Sequence, residues 1–306
     1  MRIAVTGGNG LVGSSIKAIV HQYPEHEFVF LKRSDCELAS RMAVMTFSSG
    51  GHNRFDCIIH LAALIGIPYS YEAPLSYVKT NIQGTVNVLE SARKNEIPLI
   101  INTSTSETYG TAQYTPIDEL HPMQGQSPYS ASKISADKLS EAYYNSFETP
   151  VITVRPFNTY GPRQSSRAVI PTIISQLLTE KNLSLGDLSP VRDFTYVEDT
   201  VDGFINAAIY NKHIGEVINL GYGKAASIGE ISRIIMEIMG INKEIISDHS
   251  RIRPKDSEVM NLISNNSKAK NLINWEPKID LRKGLMKTID FISNNLDFYK
   301  TNSYNI

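Results

Sequence analysis

The sequence predicts an α/β protein with a doubly wound parallel sheet and a smaller C-terminal α/β domain. Through the first two-thirds of the chain, short apolar runs alternate with longer amphipathic segments, which is the pattern of βαβ units. After Arg155 this alternation loosens, which indicates a second unit. We expect one domain at residues 1–155 with parts of 190–222, and the other at 156–189 and 223–306.

Each predicted element follows from a local pattern. Apolar runs of strand length occur at residues 3–6, 28–31, 57–61, 99–103, 151–154 and 216–220. Amphipathic segments of helical length occur at residues 11–21, 75–94, 130–145, 228–239 and 281–294. Ser227 and Asp280 directly precede the last two segments, and both residue types are favoured N-caps. Residues 191–200 are expected to form a strand that leads into a further helix.

The composition argues against several classes of protein. The 306 residues carry a formal net charge of −1, so no overall field attracts nucleic acid or anionic lipid. No apolar run approaches the roughly 20 residues needed to span a bilayer, and no signal peptide precedes the first strand. We therefore expect a cytoplasmic protein without nucleic-acid or membrane partners. Cys36 and Cys57 are expected to be buried thiols, and no metal-ligand spacing involves them.

A glycine-rich turn lies between the first predicted strand and the first predicted helix. Its glycines have G-x-x-G-x-x-G spacing. Glycine lets the backbone turn tightly and approach a pyrophosphate, which the N-terminus of the following helix stabilises. The turn therefore predicts a Rossmann-like domain that binds a dinucleotide through Gly7, Gly10, Leu11, Val12 and Gly13.

The end of the second strand bears on the choice between NAD and NADP. An acidic residue at this position would bind the ribose 2′-hydroxyl of NAD. Here Lys32 and Arg33 follow the strand instead, and these cations suit the 2′-phosphate of NADP. The residues therefore favour NADP. The alternative is that both side chains are simply solvated at a loop.

Five residues combine into a predicted catalytic site. Tyr129 and Lys133 are one helical turn apart, so they share one face of a helix. The ammonium of Lys133 is expected to lower the pKa of Tyr129, so that the phenol can exchange protons with an alcohol. Thr105, Ser106 and Glu107 follow a buried strand and bring hydroxyls and a carboxylate. This combination predicts alcohol oxidation together with removal of a carbon-bound proton.

These features and further motifs resemble the extended short-chain dehydrogenase/reductases of the nucleotide-sugar epimerase and dehydratase group. The matching runs cover nearly the whole chain, at residues 6–13, 60–63, 81–85, 104–110, 129–133, 155–158, 192–194 with Asp199, and 253–254. The run 104–110 resembles that of sugar 4,6-dehydratases, with Ser106 in place of an aspartate. Runs at 124–128, 161–171 and 257–259 resemble the N-acetylglucosamine-nucleotide 4,6-dehydratases of the legionaminic acid pathway.

The resemblance implies a redox-neutral 4,6-dehydratase that retains NADP or NAD and acts on a UDP- or GDP-linked hexose or N-acetylhexosamine. It implies a homodimer, and it assigns the substrate to Thr105, Asn158, Arg192 and Arg253. It assigns the cofactor to Leu61, Ala62, Ala63, Asn81, Tyr129 and Lys133, besides the glycine turn. The alternatives are a 4-epimerase, a UDP-glucuronate decarboxylase, a fucose-synthase-like epimerase/reductase and a non-catalytic NADP-sensing protein.

Overall fold

A computed structural model describes residues 1–31, 54–210 and 212–299. The strands in these ranges are β1 (Arg2–Thr6), β2 (Glu27–Phe30), β3 (Cys57–His60), β4 (Ile100–Thr103), β5 (Val151–Pro156), β6 (Asn158–Tyr160), β7 (Leu183–Leu185), β8 (Val191–Tyr196), β9 (Val217–Leu220), β10 (Ala225–Ser227), β11 (Ile245–Ser247) and β12 (Asn261–Leu262). Six of them form one parallel sheet in the order β2-β1-β3-β4-β5-β9. The predicted parallel sheet is confirmed.

The α-helices of the described residues are α1 (Leu11–Ile19), α2 (Ile67–Glu72), α3 (Pro74–Tyr77), α4 (Gly84–Lys94), α5 (Pro128–Phe147), α6 (Val169–Thr179), α7 (Val197–Ile209), α8 (Ile228–Met239), α9 (Ser267–Ile273) and α10 (Leu281–Asn294). The helices predicted at 11–21, 130–145, 228–239 and 281–294 are confirmed to within two residues at each end, whereas α2 and α9 were not predicted. Ser227 caps α8 by accepting the Glu230 N–H at 3.1 Å, and Asp280 caps α10 by accepting the Lys283 N–H at 2.9 Å. Both predicted caps are therefore confirmed.

The predicted helix at 75–94 differs from the structure. It consists of α3, a π-helical segment Val78–Gln83 and α4. The π-helical segment carries Asn81, whose side-chain amide accepts the Leu64 N–H at 2.8 Å and donates to the Leu64 carbonyl at 2.9 Å. An apolar period near 3.6 residues does not reveal such a local change of helix type.

The sheet reverses its winding at β1, which lies between β2 and β3. Ile3 pairs with Phe28 on one side and with Cys57 on the other. In open parallel sheets, ligands bind where the winding reverses, outside the carboxyl ends of the strands. The carboxyl ends of β1 and β3, at Thr6 and His60, therefore border the crevice in which we expect a cofactor.

Both faces of the large sheet are buried. Ile3 and Val5 belong to one apolar cluster, and Ala4 between them belongs to another. Successive side chains of a strand point to opposite faces, so helices must cover the sheet on both sides. The buried Cys57 is a free thiol, as predicted, whereas Cys36 lies outside the described residues.

The C-terminal part of the chain is built around β8. This strand pairs with β6, β10 and β12, while β7 pairs with β11 in a separate two-stranded sheet. Helix α6 packs against α8 and α10 beside these strands. The strand β9 returns to the large sheet, where it pairs with β5. Within the described ranges, no helix is long and apolar enough to cross a membrane.

Candidate active site

The glycine turn after β1 is too tightly packed for side chains. Gly7 has a φ of +70°, and a Cβ atom there would lie 2.7 Å from the backbone nitrogen of Ala62. A Cβ atom on Gly13 would lie 2.5 Å from the Gly7 carbonyl oxygen. The N-cap residue of α1 is Gly10, which has no side chain. No capping side chain therefore covers the backbone N–H groups of Leu11 and Val12 at the start of the helix. The turn therefore fits the pyrophosphate of a dinucleotide.

The loop after β3 forms the opposite side of the crevice. It contains Leu61, Ala62 and Ala63, and the Ala62 N–H donates to Thr6 Oγ1 at 3.2 Å. Asn81 fixes the end of this loop through Leu64. The structure thus brings the predicted cofactor residues of β1, β3 and the π-helical segment to one crevice. Lys32 and Arg33 lie outside the described residues.

His60, at the end of β3, contacts residues of both β1 and α4. Its Nδ1 lies 2.9 Å from Thr6 Oγ1, and its Nε2 lies 3.4 Å from Thr85 Oγ1. Burial, together with the smaller effect of the nearby charge of Lys133, lowers the pKa of His60 to about 3. The imidazole is therefore neutral in the folded protein at neutral pH.

We expect His60 to make the protein acid-sensitive. The pKa is about 3 in the folded chain against 6.5 in the unfolded chain, so unfolding takes up a proton between these values. Stability should therefore fall as the pH drops below 6.5, by up to about 1.4 kcal/mol per pH unit. In His60→Gln this slope should flatten, as measured by urea unfolding at several pH values. The exposed His249→Gln is the control, and an unchanged slope in His60→Gln would contradict the assignment.

A short turn after β4 carries the predicted hydroxyl and carboxylate residues. The 3₁₀ turn Ser106–Tyr109 begins after Thr105, whose Oγ1 accepts the Glu107 N–H at 3.3 Å. Ser106 and Glu107 are both buried, with Glu107 only 8% exposed. A buried carboxylate needs partners of opposite charge or hydrogen-bond donors, so the groups around Glu107 determine its chemical role.

Tyr129 lies in the first turn of α5, beside Thr105. Burial raises the pKa of Tyr129, a hydrogen bond with Thr105 lowers it, and the charge of Glu107 raises it again. The expected lowering of this pKa by Lys133 is therefore wrong for the protein alone. The reason is that removing the phenolate from water costs more free energy than the hydrogen bond with Thr105 recovers.

Lys133 follows one turn later and donates a hydrogen bond to the Thr103 carbonyl. Burial lowers the pKa of Lys133 to about 8, and the charge of Asp137 partly opposes this. The ammonium is thus still mostly protonated at neutral pH. It lies at the carboxyl end of β4, next to the crevice.

A buried ion pair behind Lys133 was not predicted as part of the site. Asp137 accepts hydrogen bonds from Ser104 Oγ at 2.7 Å and from Arg155 Nε at 3.0 Å. Arg155 also donates to the Tyr109 hydroxyl at 2.9 Å. The available signal was the spacing on α5, because Asp137 follows Lys133 by four residues and shares its helix face.

Tyr77 packs its aromatic ring beside the Tyr129 phenol. Its ring meets that of Tyr129 at a centroid distance of 6.2 Å and an interplanar angle of 72°. Its hydroxyl donates to the Gly66 carbonyl, and burial is the main reason that the pKa of Tyr77 is raised to about 12. No sequence pattern distinguished this tyrosine from a packing residue.

Two arginines of the second half share one carboxylate oxygen. Arg192 Nη2 and Arg253 Nη1 donate to Glu258 Oε1 at 3.0 Å and 3.2 Å. Burial lowers the pKa of Arg192, whereas the charges of Glu107 and then Glu258 raise it. Glu107 thus acts electrostatically on Arg192 as well as on Tyr129. Paired guanidinium groups suit a diphosphate.

Asn158 begins β6 and lies alongside β8, opposite Phe194 in the register. Its buried Oδ1 has no hydrogen-bond partner within the described ranges. A buried amide oxygen without a partner is costly unless a ligand or water satisfies it. That Asn158 contacts the substrate stays a prediction.

The family follows from comparison with known proteins. The family model for GDP-mannose 4,6 dehydratase matches residues 51–288. The chain belongs to this family. Proteins of the GDP-mannose 4,6 dehydratase family are extended short-chain dehydrogenase/reductases, NAD(P)-dependent enzymes that act as nucleotide-sugar dehydratases or epimerases. The predictions of the family and of an NAD(P)-dependent enzyme are thereby confirmed.

Relatives within the family have different activities. The putative UDP-glucose 4-epimerase of Methanocaldococcus jannaschii is 31% identical over 96% of this chain and 99% of its own length. The dTDP-D-glucose 4,6-dehydratase of Homo sapiens is 26% identical over 98% of this chain and 92% of its own length. Membership of the family therefore leaves the choice between dehydration and epimerisation open.

Solved structures share the fold over nearly the whole chain. The UDP-glucose 4-epimerase of Thermotoga maritima, solved with UDP-glucose, has a TM-score of 0.88 at 27% identity, covering 97% of this chain and 100% of that one. The UDP-glucuronic acid 4-epimerase of Bacillus cereus, solved with UDP-glucuronic acid and NAD, has a TM-score of 0.84 at 27% identity, covering 96% and 100%. The Rossmann-like fold is thereby confirmed.

Proposed function

We propose that the protein is a nucleotide-sugar 4,6-dehydratase, of the type found in the legionaminic acid pathway. The observation that carries this proposal is the buried Glu107 carboxylate, which acts electrostatically on both Tyr129 and Arg192. A dehydratase needs a base for the C5 proton close to the group that takes the proton of the C4 hydroxyl. A 4-epimerase removes no proton from C5, so it gives Glu107 no task.

The crevice holds NAD(P) in this proposal. The glycine turn would bind its pyrophosphate, and Asn81, Tyr129 and Lys133 would border its nicotinamide end. When bound, NAD(P) would supply the hydride-transfer chemistry that the oxidation at C4 and the reduction at C6 require. We propose NADP rather than NAD because of the two cations Lys32 and Arg33.

Tyr129 and Thr105 act on the C4 oxygen. Tyr129 takes the proton of the 4-hydroxyl, and Thr105 holds the same oxygen by its hydroxyl group. The hydrogen bond between these two side chains already favours the phenolate, although burial opposes it. Lys133 contributes a positive charge on the same face of α5.

Glu107 acts on C5 and then on the leaving group. A ketone at C4 acidifies the C5–H bond, and Glu107 removes that proton. The hydroxyl at C6 leaves as water when it receives a proton, which Glu107 has just gained. Ser106 stands where sugar 4,6-dehydratases carry an aspartate, and a serine hydroxyl is a poor acid at neutral pH. Glu107 must therefore serve both steps, directly or through a water molecule.

The second half of the chain would grip the nucleotide. Arg192 and Arg253 provide two guanidinium groups for the diphosphate, and Asn158 provides an amide with an unused acceptor. Together they favour a UDP- or GDP-linked hexose or N-acetylhexosamine as substrate.

Product analysis tests this function directly. The protein is incubated with UDP-N-acetylglucosamine, UDP-glucose, GDP-mannose, dTDP-glucose and UDP-glucuronate, each with a trace of NAD or NADP. We expect one of the hexose substrates to give a product lighter by one water, with a ketone at C4. A product of unchanged mass would instead identify an epimerase, and release of carbon dioxide would identify a decarboxylase. In a parallel reaction supplied with NADPH in excess, its stoichiometric consumption would identify a reductase.

A 4-epimerase is the second candidate. It is favoured by the names of the M. jannaschii relative and the T. maritima structure. The two candidates share Tyr129, Lys133 and Thr105, and they differ in their need for Glu107.

We also propose a homodimer. Leu75 on α3 and Val78 after it are 73% and 47% exposed, and their spacing of three residues places them next to each other in a small apolar patch. A second copy of this chain that packs α3, α4 and α5 against the same helices would cover them. Light scattering should give twice the chain mass, and Leu75→Glu should shift the protein towards the monomer.

A further inference from the structure

Two sequence runs outside the catalytic residues meet in space. The run at 124–128 precedes Tyr129, and the run at 257–259 follows Arg253. Gln126 Nε2 donates to the carbonyl oxygens of Asp256 at 3.0 Å and Glu258 at 3.4 Å. The two segments are far apart in the sequence, so this amide is a long-range link between the two halves of the chain.

Ser257 and Tyr71 complete this link. Ser257 Oγ donates to the Gln126 carbonyl, and it lies 2.6 Å from the Tyr71 hydroxyl on α2. We call the side chains of Gln126, Ser257 and Tyr71 the interloop latch. All three are half-buried and lie at the junction of the two halves.

The interloop latch also contacts the turn that carries Glu107. Gln126 Oε1 accepts the Thr111 N–H at 2.5 Å. Gly110, which ends that turn with a φ of +64°, would place a Cβ atom 2.6 Å from the same oxygen. The next residue after Gln126 is Ser127, the N-cap of the helix that carries Tyr129. One amide therefore touches the Glu107 turn and adjoins the start of α5.

The other end of the interloop latch leads to Arg192 and Arg253, which we call the diphosphate grip. The backbone of Glu258 accepts from Gln126, and its carboxylate holds Arg192 and Arg253. A chain of hydrogen bonds thus runs from the Glu107 turn through Gln126 and Glu258 to both arginines. The substrate of the proposed reaction would span the same distance, with its diphosphate at the arginines and its C4 and C5 at Tyr129 and Glu107.

We propose that the interloop latch sets the distance between the diphosphate grip and the residues that act on C4 and C5, so that Gln126, Ser257 and Tyr71 are positioning residues of the reaction. This inference rests on the proposed function, since it assumes a nucleotide sugar in the cleft. Misplacement of a reacting group by about 1 Å costs on the order of 100-fold in rate. A link made of hydrogen bonds to backbone groups suits this task because each bond fixes a direction as well as a distance.

The test compares Gln126→Glu with a matched control. The substitution keeps an oxygen that can accept the Thr111 N–H and removes the donor to Asp256 and Glu258. Gln176→Glu is the control, because Gln176 makes the same kind of paired contact with the backbone of Ser184 away from the site, at 2.6 Å and 3.2 Å. Ser257→Ala is a second, smaller change in the interloop latch.

The first readout is hydrogen–deuterium exchange of the full-length protein with and without UDP, dTDP or GDP. In the wild type and Gln176→Glu, the nucleoside diphosphate that binds should protect both residues 253–258 and residues 105–111. In Gln126→Glu and Ser257→Ala, protection of 253–258 should remain and that of 105–111 should be lost. Equal protection of 105–111 in all variants would overturn the inference. Absence of protection at 253–258 in the wild type with every diphosphate would overturn the proposed function, and the inference with it.

The second readout is the split between turnover and binding. For Gln126→Glu we expect kcat to fall about 10- to 100-fold while the Kd of the nucleoside diphosphate changes less than about threefold. A purely structural role would weaken both or neither, and either result would overturn the inference.

Discussion

Glu107→Gln is expected to abolish the loss of water while leaving oxidation at C4 in place. Glutamine keeps the size of the side chain but cannot remove the C5 proton or return it to the C6 hydroxyl. Loss of a positioned acid–base group typically costs about 10²- to 10⁴-fold in rate. The variant should therefore accumulate reduced nicotinamide in a single turnover, seen by absorbance, while the dehydrated product forms at least about 100-fold more slowly.

The matched control for this change is Glu119→Gln. Glu119 is also a partly buried carboxylate, and it accepts the Asn219 N–H at 2.8 Å outside the proposed site. The Glu119→Gln variant should form the dehydrated product at the wild-type rate. If Glu107→Gln dehydrates its substrate at the wild-type rate, the role given to Glu107 is wrong, and another group removes the C5 proton.

Tyr129→Phe is expected to stop the reaction at its first step. Phenylalanine keeps the ring contact with Tyr77 but removes the hydroxyl that takes the proton from the C4 oxygen. We expect both nicotinamide reduction and product formation to fall about 10²- to 10⁴-fold together. This distinguishes the variant from Glu107→Gln, in which only the later step is lost.

Tyr143→Phe provides the control on the same helix. Its hydroxyl donates to Glu90 at 3.1 Å, outside the proposed site, so its loss should leave the single-turnover reduction unchanged. Rapid reduction of nicotinamide by Tyr129→Phe would show that another group accepts the proton.

Strong local patterns carried much of the prediction. The strand at Ile3–Thr6, the glycine turn and the caps at Ser227 and Asp280 each depend on residues close together in the sequence, and the structure has them where expected. Strands of two or three residues, such as Asn158–Tyr160 and Asn261–Leu262, are too short to show a period, so they could not be predicted.

The site was harder to predict where it depends on tertiary contacts. The shared oxygen of Glu258 joins Arg192 and Arg253 only because residues distant in sequence fold together. The pKa of Tyr129 was expected to fall on account of Lys133, but its direction depends first on burial, which the spacing of two residues does not reveal. Tyr77 beside that phenol had no distinguishing pattern at all.

The fate of the C4 hydrogen tests the central claim most directly. A substrate with deuterium at C4, chosen from the hexose nucleotides above, is converted by the wild-type protein, and the product is analysed by NMR. A 4,6-dehydratase with Glu107 as the base at C5 predicts that the deuterium appears on C6 of a 4-keto-6-deoxy sugar. Deuterium found again at C4, in a sugar that has kept its C6 hydroxyl, would contradict the account and identify an epimerase.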